Sequence, residues 1–302
     1  MADDASRGMR IATWNVNSLR ARLDKVGWWL ERALPDVLLL QETKLADADA
    51  PVEELARLGY GFVHHGEGRW NGVAIASRVG IADVATNFGE PLRPSKTPDV
   101  GDDEPFAEAR MLTAVCGGVR FVSLYAPNGR VVDSPFYRAK LAWFARLSRW
   151  LTERCNPQEP LVLGGDLNVA PADLDVWDPA ACHGGTHVSD PERGAFARLA
   201  DWGLVDAYRL RRPEPERYTW WDYRAGNFHK NYGMRIDHLL VTRPVADRIV
   251  WAEIDREARK GKPVPSDHAP LVIDLDAPGR SFDAGWASAD GRIAARRAGR
   301  RS

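Results

Sequence analysis

Six short apolar runs in this chain each stop on, or start from, an isolated polar residue, and that punctuation limits the possible folds most. Ile11-Ala12-Thr13-Trp14 leads to Asn15, and Val37-Leu38-Leu39-Leu40 leads to Glu42. Phe121-Val122-Ser123-Leu124 leads to Tyr125, and Leu161-Val162-Leu163-Gly164-Gly165 leads to Asp166 and Asn168. In the other direction, Asp237 precedes Leu239-Leu240-Val241, and Asp267-His268 precede Leu271-Val272-Ile273. Runs of this length read as buried strands. Antiparallel pairing of neighbours would set the ends of some and the beginnings of others on one rim. That rim would hold Asn15, Glu42, Tyr125, Asp166, Asn168, Asp237, Asp267 and His268, a set suited to a hard divalent cation and to proton transfer. Taken singly, each residue has a plainer reading. An Asp after a strand usually closes a turn, a His beside Asp is commonly a surface pair, and Tyr125 before Ala126-Pro127 fits a core tyrosine at a turn. Their joint placement carries the argument.

Helices alternate with these strands. Leu19, Leu23, Val26, Leu30 and Ala33 recur at helical spacing and predict an amphipathic helix over 18–33. A second helix is expected over 135–153, with Phe136, Trp143, Leu147 and Trp150 on one face. Ser189-Asp190-Pro191-Glu192 has the form of a capping box and opens a third, closed by Gly203. Further strands are expected over 60–65, 72–77 and 109–116, and the segment 91–105 reads as a Pro/Asp-rich loop. The chain is of the α/β class, with sheets packed together under outer helices. It shows no internal repeat and no linker, so we expect one catalytic domain over 9–276, after a flexible stretch 1–8 and before a flexible basic tail 277–302.

Composition narrows the function classes. The 41 Lys+Arg against 42 Asp+Glu leave a net charge of −1, which says little against a nucleic-acid partner, because metal-site carboxylates cancel basic residues elsewhere. The tail carries six arginines and two aspartates; a solvated appendage and a weak DNA tether both fit it. No apolar run approaches the roughly 18 residues of a membrane helix, so no membrane partner is expected. Three distant cysteines, Cys116, Cys155 and Cys182, form neither a disulfide framework nor a zinc motif. Met1 to Gly8 is polar, with no signal-peptide core. A reducing cytoplasm is the expected home.

Seven segments then carry a resemblance. TWNVNSLRARL (13–23), LLLQETK (38–44), SLYAPNG (123–129), GGDLNVAP (164–171), YTWWDYR (218–224), GMRIDHLL (233–240) and PSDHAPLV (265–272) stand in this order. Together they resemble the exonuclease III family of apurinic/apyrimidinic (AP) endonucleases, within the endonuclease/exonuclease/phosphatase superfamily, over about 9–275. The resemblance implies a four-layer α-β-β-α sandwich and Mg²⁺-dependent hydrolysis of DNA phosphodiesters, with Mn²⁺ as a possible substitute. It implies cutting 5′ of an abasic site, 3′–5′ exonuclease action and removal of 3′ blocking groups on double-stranded DNA. It further implies a monomer, cytoplasmic and nucleoid-associated when bound to DNA.

The resemblance also implies roles. Glu42 would be the principal metal ligand, with Asn15 and Asp267 in the metal set and Asn17 and Lys44 ordering that region. Asp166 would activate water, with Tyr125 left open as an alternative base. Asn168 and His268 would contact the phosphate, and Asp237 would orient His268. Asn128, and more weakly Arg69 and Trp70, would contact the DNA backbone, while Glu108 and Arg110 read as structural. Trp220, Met234 and Ile236 would wall a pocket for the base-less sugar, against the plainer reading of three core residues. Two competitors stand beside this. One is a phosphatase or phosphodiesterase of the superfamily acting on a non-DNA ester; the other is a DNA-binding module with a decayed site, which the intact set of Glu42, Asp166 and His268 disfavours.

Overall fold

The computed structural model describes residues 8–89 and 108–299; the expected 91–105 loop lies outside the described residues. Twelve strands are described: β1 Met9–Asn15, β2 Val37–Gln41, β3 Gly61–His65, β4 Val73–Ser77, β5 Ala82–Thr86, β6 Met111–Cys116, β7 Val119–Tyr125, β8 Leu161–Asp166, β9 Val205–Asp206, β10 Asp237–Val241, β11 Ile249–Ile254 and β12 Leu271–Leu275. They form two six-stranded mixed sheets, ordered β11-β12-β1-β2-β4-β3 and β5-β6-β7-β8-β10-β9.

The alternation of side chains explains why the sheets stack. On β1 and β2, Ile11, Val37 and Leu39 join Phe121, Val162 and Leu239 of the second sheet in one buried cluster between the sheets. The intervening Ala12, Trp14, Leu38 and Leu40 face the other way, onto Val26, Trp29 and Leu30 of helix α1 (Leu19–Ala33). On the second sheet, Val122, Leu124 and Leu163 face outward onto Trp143, Phe144 and Leu147 of α2 (Pro135–Arg154) and Phe196 and Leu199 of α3 (Asp190–Trp202). Central strands covered on both faces are therefore mostly apolar, with isolated buried polar residues such as Thr13, Ser123 and Asp274. The result is the expected four-layer sandwich. Ser18 accepts from Ala21 N at the start of α1, and Ser134 accepts from Tyr137 N at the start of α2.

The sequence did not point to β5, β9 and β11. All five residues of β5 are exposed and β9 has two residues, so neither carries a burial pattern to read. All three lie at sheet edges, where one side lacks a partner strand. The tail differs too. Where a flexible appendage was expected, Ala287–Gly299 forms a helix, α4, and Trp286, Ala289 and Ile293 are buried in the inter-sheet cluster. Three apolar residues at helical spacing suffice to dock it, and the surrounding Arg, Ala and Gly hid that stripe.

Candidate active site

Strand direction assembles the site. β1 and β2 are parallel, with Asn15 opposite Gln41, so both leave the first sheet at the same rim, at Asn15 and Glu42. β12 runs antiparallel to β1, and the approach to it places Asp267 and His268 at that rim. In the second sheet β7 and β8 are parallel, with Tyr125 opposite Asp166, while antiparallel β10 sets Asp237 opposite Asp166. Antiparallel pairs thus bring the strand beginnings to the rim, as expected, and parallel pairs add to them. Two central pairs are parallel, joined by crossovers that contain α1 and α2, and a parallel pair also ends on one rim.

The side chains of the two rims interlock. Asn15 Nδ2 donates to Glu42 Oε1 (2.8 Å) and to Asp166 Oδ2 (2.9 Å), bridging the sheets. The ring of His268 bonds Asp237 Oδ2 through Nδ1 (2.8 Å), and its Nε2 stands 3.8 Å from Asp166 Oδ2. Asn17 donates to Asp267 Oδ1 (2.9 Å), and Lys44 Nζ reaches Asn17 Oδ1 (2.6 Å) and Glu42 Oε2 (2.9 Å). Asn168 N donates to Asp166 Oδ1 (2.9 Å), and Asn168 Nδ2 donates to Ala126 O (3.0 Å). Asn17, Glu42, Lys44 and Asn168 all have positive φ, between 45° and 54°. Left-handed backbone at four non-glycine positions around one site is costly and persists only because the surrounding contacts over-determine it.

The electrostatics follow from this burial. Asp166 is raised to about 7, first by desolvation and then by the charge of Asp237. For His268, desolvation opposes the charge, but the bonded Asp237 together with Asp166 and Asp267 pushes it up to about 10. It is an imidazolium at neutral pH. Tyr125 is raised well above its ordinary value by desolvation and by Glu42 and Asp166, against Arg110, so it stays a neutral phenol that can donate. Desolvation would raise Asp267, but His268 and the bonds from Asn17 and Trp220 bring it below the usual range.

Ligating atoms of Glu42, Asp166 and His268 lie within 4.8 Å of one another. Two carboxylates there fit a hard divalent cation that keeps several waters. His268 is protonated and tied to Asp237, so it serves as a donor and not as a ligand. Asn15, expected among the ligands, turns its amide nitrogen to the carboxylates, and its oxygen accepts from Asn17 N (3.0 Å). Asp267 Oδ1 accepts from Asn17 Nδ2 (2.9 Å) and Ser266 Oγ (3.5 Å), and its Oδ2 accepts from Trp220 Nε1 (3.1 Å).

Residues 12–268, which hold this whole constellation, match the family model described as the Endonuclease/Exonuclease/phosphatase family. The chain belongs to that family. It is 32% identical over 275 residues to the exodeoxyribonuclease III of Haemophilus influenzae, covering 87% of this chain and 98% of that protein. Among solved structures it is similar to a Neisseria 3′ phosphatase bound to a product DNA hairpin, at 39% identity and a TM-score of 0.79, covering 89% of this chain and all of that one. An AP endonuclease from Archaeoglobus fulgidus matches at 35% identity and a TM-score of 0.79, with the same coverage.

The remaining expected positions of this family member divide into three groups. Trp220, Met234 and Ile236 do meet, packed with Ala170, Val176 and Val188. Trp220 and Met234 exchange two backbone hydrogen bonds of 3.0 Å, and Trp220 also bridges to His268. Ile236 is buried, whereas Trp220 and Met234 are half-buried and keep surface to offer. Asn128 is exposed and bonds Asn168 Oδ1 (3.1 Å). Arg69 and Trp70 are both exposed, the guanidinium 4.9 Å from the ring centroid. Their loop joins the rim through the backbone, where Lys44 N donates to Asn71 O (2.9 Å).

Several residues beneath the site were not legible. Lys140 Nζ, fully buried, donates to Asn168 O (2.6 Å) and Asn128 O (3.3 Å) and pairs with Glu192. Glu192 also accepts from Ser189 N (3.2 Å), the one bond its sequence pattern announced, and from His187 N (3.0 Å). His187 Nδ1 lies 2.6 Å from Asn168 O. Arg110 sits over the Tyr125 ring at 4.8 Å and donates to Glu108 Oε2 (2.6 Å), in keeping with a structural role. Arg235 is paired with Asp175 (2.7 Å) and Asp206 (2.7 Å) behind Ile236 and Asp237. Arg235→Met would leave these carboxylates without their buried partner. It is expected to cost about 3–5 kcal/mol in urea unfolding, while a loss under 1 kcal/mol would show that the ion pairs contribute little.

Proposed function

We propose that this chain is a Mg²⁺-dependent DNA-repair nuclease that cuts 5′ of abasic sites to leave a 3′-hydroxyl. The same site would remove nucleotides and blocking groups from the 3′ ends of duplex DNA. One observation carries the reading: the Asp237–His268–Asp166 line stands directly beside the apolar Trp220–Met234 pair, so phosphate chemistry and a sugar-sized apolar surface are neighbours. The relatives' names point to the same reactions, as exodeoxyribonuclease III, AP endonuclease and 3′ phosphatase. Among the described residues no helix is long and apolar enough to cross a membrane. We place the protein in the cytoplasm, acting as a monomer on nucleoid DNA.

The residues divide the work as follows. Glu42 would hold the ion, with Mn²⁺ a possible substitute. When bound, the metal supplies Lewis-acid stabilisation of charge that develops on the phosphate and the leaving oxygen. Asp166, raised toward neutrality by its surroundings, is a base matched to pH 7 and takes the proton of the attacking water. His268, kept charged by Asp237, donates from Nε2 to a phosphate oxygen. The Tyr125 hydroxyl and the second N–H of Asn168 donate to the same group, and Asn128 holds a flanking phosphate. A base-less sugar fits against Trp220 and Met234, where an intact nucleotide would bring a bulky polar base edge.

The test is cleavage of an end-labelled duplex with one abasic site, beside its undamaged twin, in Mg²⁺ or EDTA. The expected result is a cut 5′ of the lesion in Mg²⁺ only, with the twin shortened slowly. Fast shortening of both duplexes would make the protein chiefly an exonuclease. No cutting of either would overturn the reading in favour of a non-DNA phosphate ester. Trp220→Ala should lower kcat/KM at the abasic site by about tenfold, the scale of a single apolar or stacking contact, and leave 3′ shortening nearly unchanged. Equal losses on both substrates would show that Trp220 acts only in packing.

A further inference from the structure

We propose that the C-terminal helix α4 is a brace for the lesion-recognition segment, acting through Arg296, which clamps the two arms that carry Trp220 and Met234. The proposal rests on the repair-nuclease reading for its consequence in catalysis, but not for its mechanical content. The family match ends at residue 268. Helix α4 lies beyond the matched region.

Between Glu216 and Met234 the chain makes an excursion with two arms. At the rim the arms are joined by the paired backbone bonds of Trp220 and Met234, and Thr219 N also donates to Met234 O (3.1 Å). At the far end Asn231 Nδ2 donates to Glu216 O (3.1 Å), and Trp221 Nε1 donates to Asn231 Oδ1 (3.1 Å). Arg296 closes this far end from outside. One nitrogen pairs with Glu216 Oε1 (2.6 Å) on the first arm; the other donates to Lys230 O (3.1 Å) and Asn231 O (3.3 Å) on the second. Its guanidinium also lies 5.4 Å from the centroid of Tyr232, whose ring stacks on Trp177 at 4.0 Å.

The helix that presents Arg296 is itself anchored. Trp286 Nε1 donates to Ile254 O (2.8 Å), Arg217 pairs with Asp290 (2.8 Å), and Ile293 is buried. Arg296 is therefore held by a docked element, and a planar guanidinium can engage a carboxylate and two carbonyls together. A lysine would keep the charge toward Glu216 and lose the fork. Fixing a recognition surface in its binding geometry before DNA arrives reduces the ordering cost on binding.

The test compares Arg296→Ala and Arg296→Lys with the parent chain. In Arg296→Ala, hydrogen exchange at the Trp220 and Met234 amides is expected to be about fivefold faster, beyond any change at the amides of the central strands. Those strands serve as the control, because Arg296 and Glu216 are only 14% and 11% exposed and the loss of their pair also lowers Tm. Arg296→Lys should fall between Arg296→Ala and the parent. On DNA, KM for the abasic duplex should rise about fivefold in Arg296→Ala while kcat and 3′ shortening stay near the parent's. Parental exchange rates at both amides would overturn the brace, whatever the enzyme does. Faster exchange with equal changes on both DNA substrates would overturn its link to lesion recognition. A parent chain that cuts neither duplex would sink the nuclease reading alone, since the exchange comparison needs no activity.

Discussion

Asp166→Asn is expected to lower turnover on the abasic duplex by about 10³- to 10⁴-fold while leaving DNA binding largely intact, because it removes the general base without changing its shape. The amide oxygen can still accept from Asn168 N, which now bonds Asp166 Oδ1 at 2.9 Å. The pH dependence of stability should change as well. The folded carboxyl is raised to about 7, so its ionisation is disfavoured in the folded state, and the folded chain loses stability as pH rises from about 4 to 7. Asp166→Asn removes that pH-dependent loss, so in EDTA the parent's Tm should fall more steeply than the variant's between about pH 5 and 7.5. Against this stands the cost of an amide nitrogen that now faces Asn15 Nδ2. Near-parental turnover in gel-based single-turnover cleavage would remove Asp166 from the role of base.

His268→Ala should reduce turnover by about 10²- to 10⁴-fold, and here stability falls with activity. Asp237 is fully buried, and among the described residues its Oδ1 has no hydrogen-bond partner, so His268 is the group that balances its charge. Removing that partner is expected to cost about 3–5 kcal/mol. The folded pKa of His268 is raised to about 10 from 6.5. Its stabilising contribution is therefore complete below about pH 6.5 and is lost as pH rises through 10. The double variant His268→Ala/Asp237→Asn should regain much of the stability and none of the activity. Recovery of turnover in the double variant would show that the imidazolium does not contact the phosphate.

How much was legible depends on how local the cause is. Strands β1, β2, β7, β8, β10 and β12 were readable because each carries a mostly apolar run that stops on, or starts from, a polar residue. Helix α1 was readable from its periodicity. The edge strands β5, β9 and β11 and helix α4 were not, since each has little or irregular burial and depends on a neighbour from elsewhere in the chain. At the site, the identities of Glu42, Asp166, Asp237 and His268 were legible, but the orientation of Asn15 was not. Nothing in Thr13-Trp14-Asn15 says that its amide nitrogen will lie between carboxylates 27 and 151 residues away.

Local pattern is enough for the residue types at the rim, the period-two alternation that makes two faces of every central strand, and so the stacking of two sheets under helices. These follow from local pattern and from the need to bury apolar faces. The charge states of Asp166 and His268, the pairing of Lys140 with Glu192 and the clamp of Arg296 on Glu216 come from the folded arrangement instead. Each of these depends on desolvation and on a partner distant in sequence, and both arise when separate elements close on one another and exclude water.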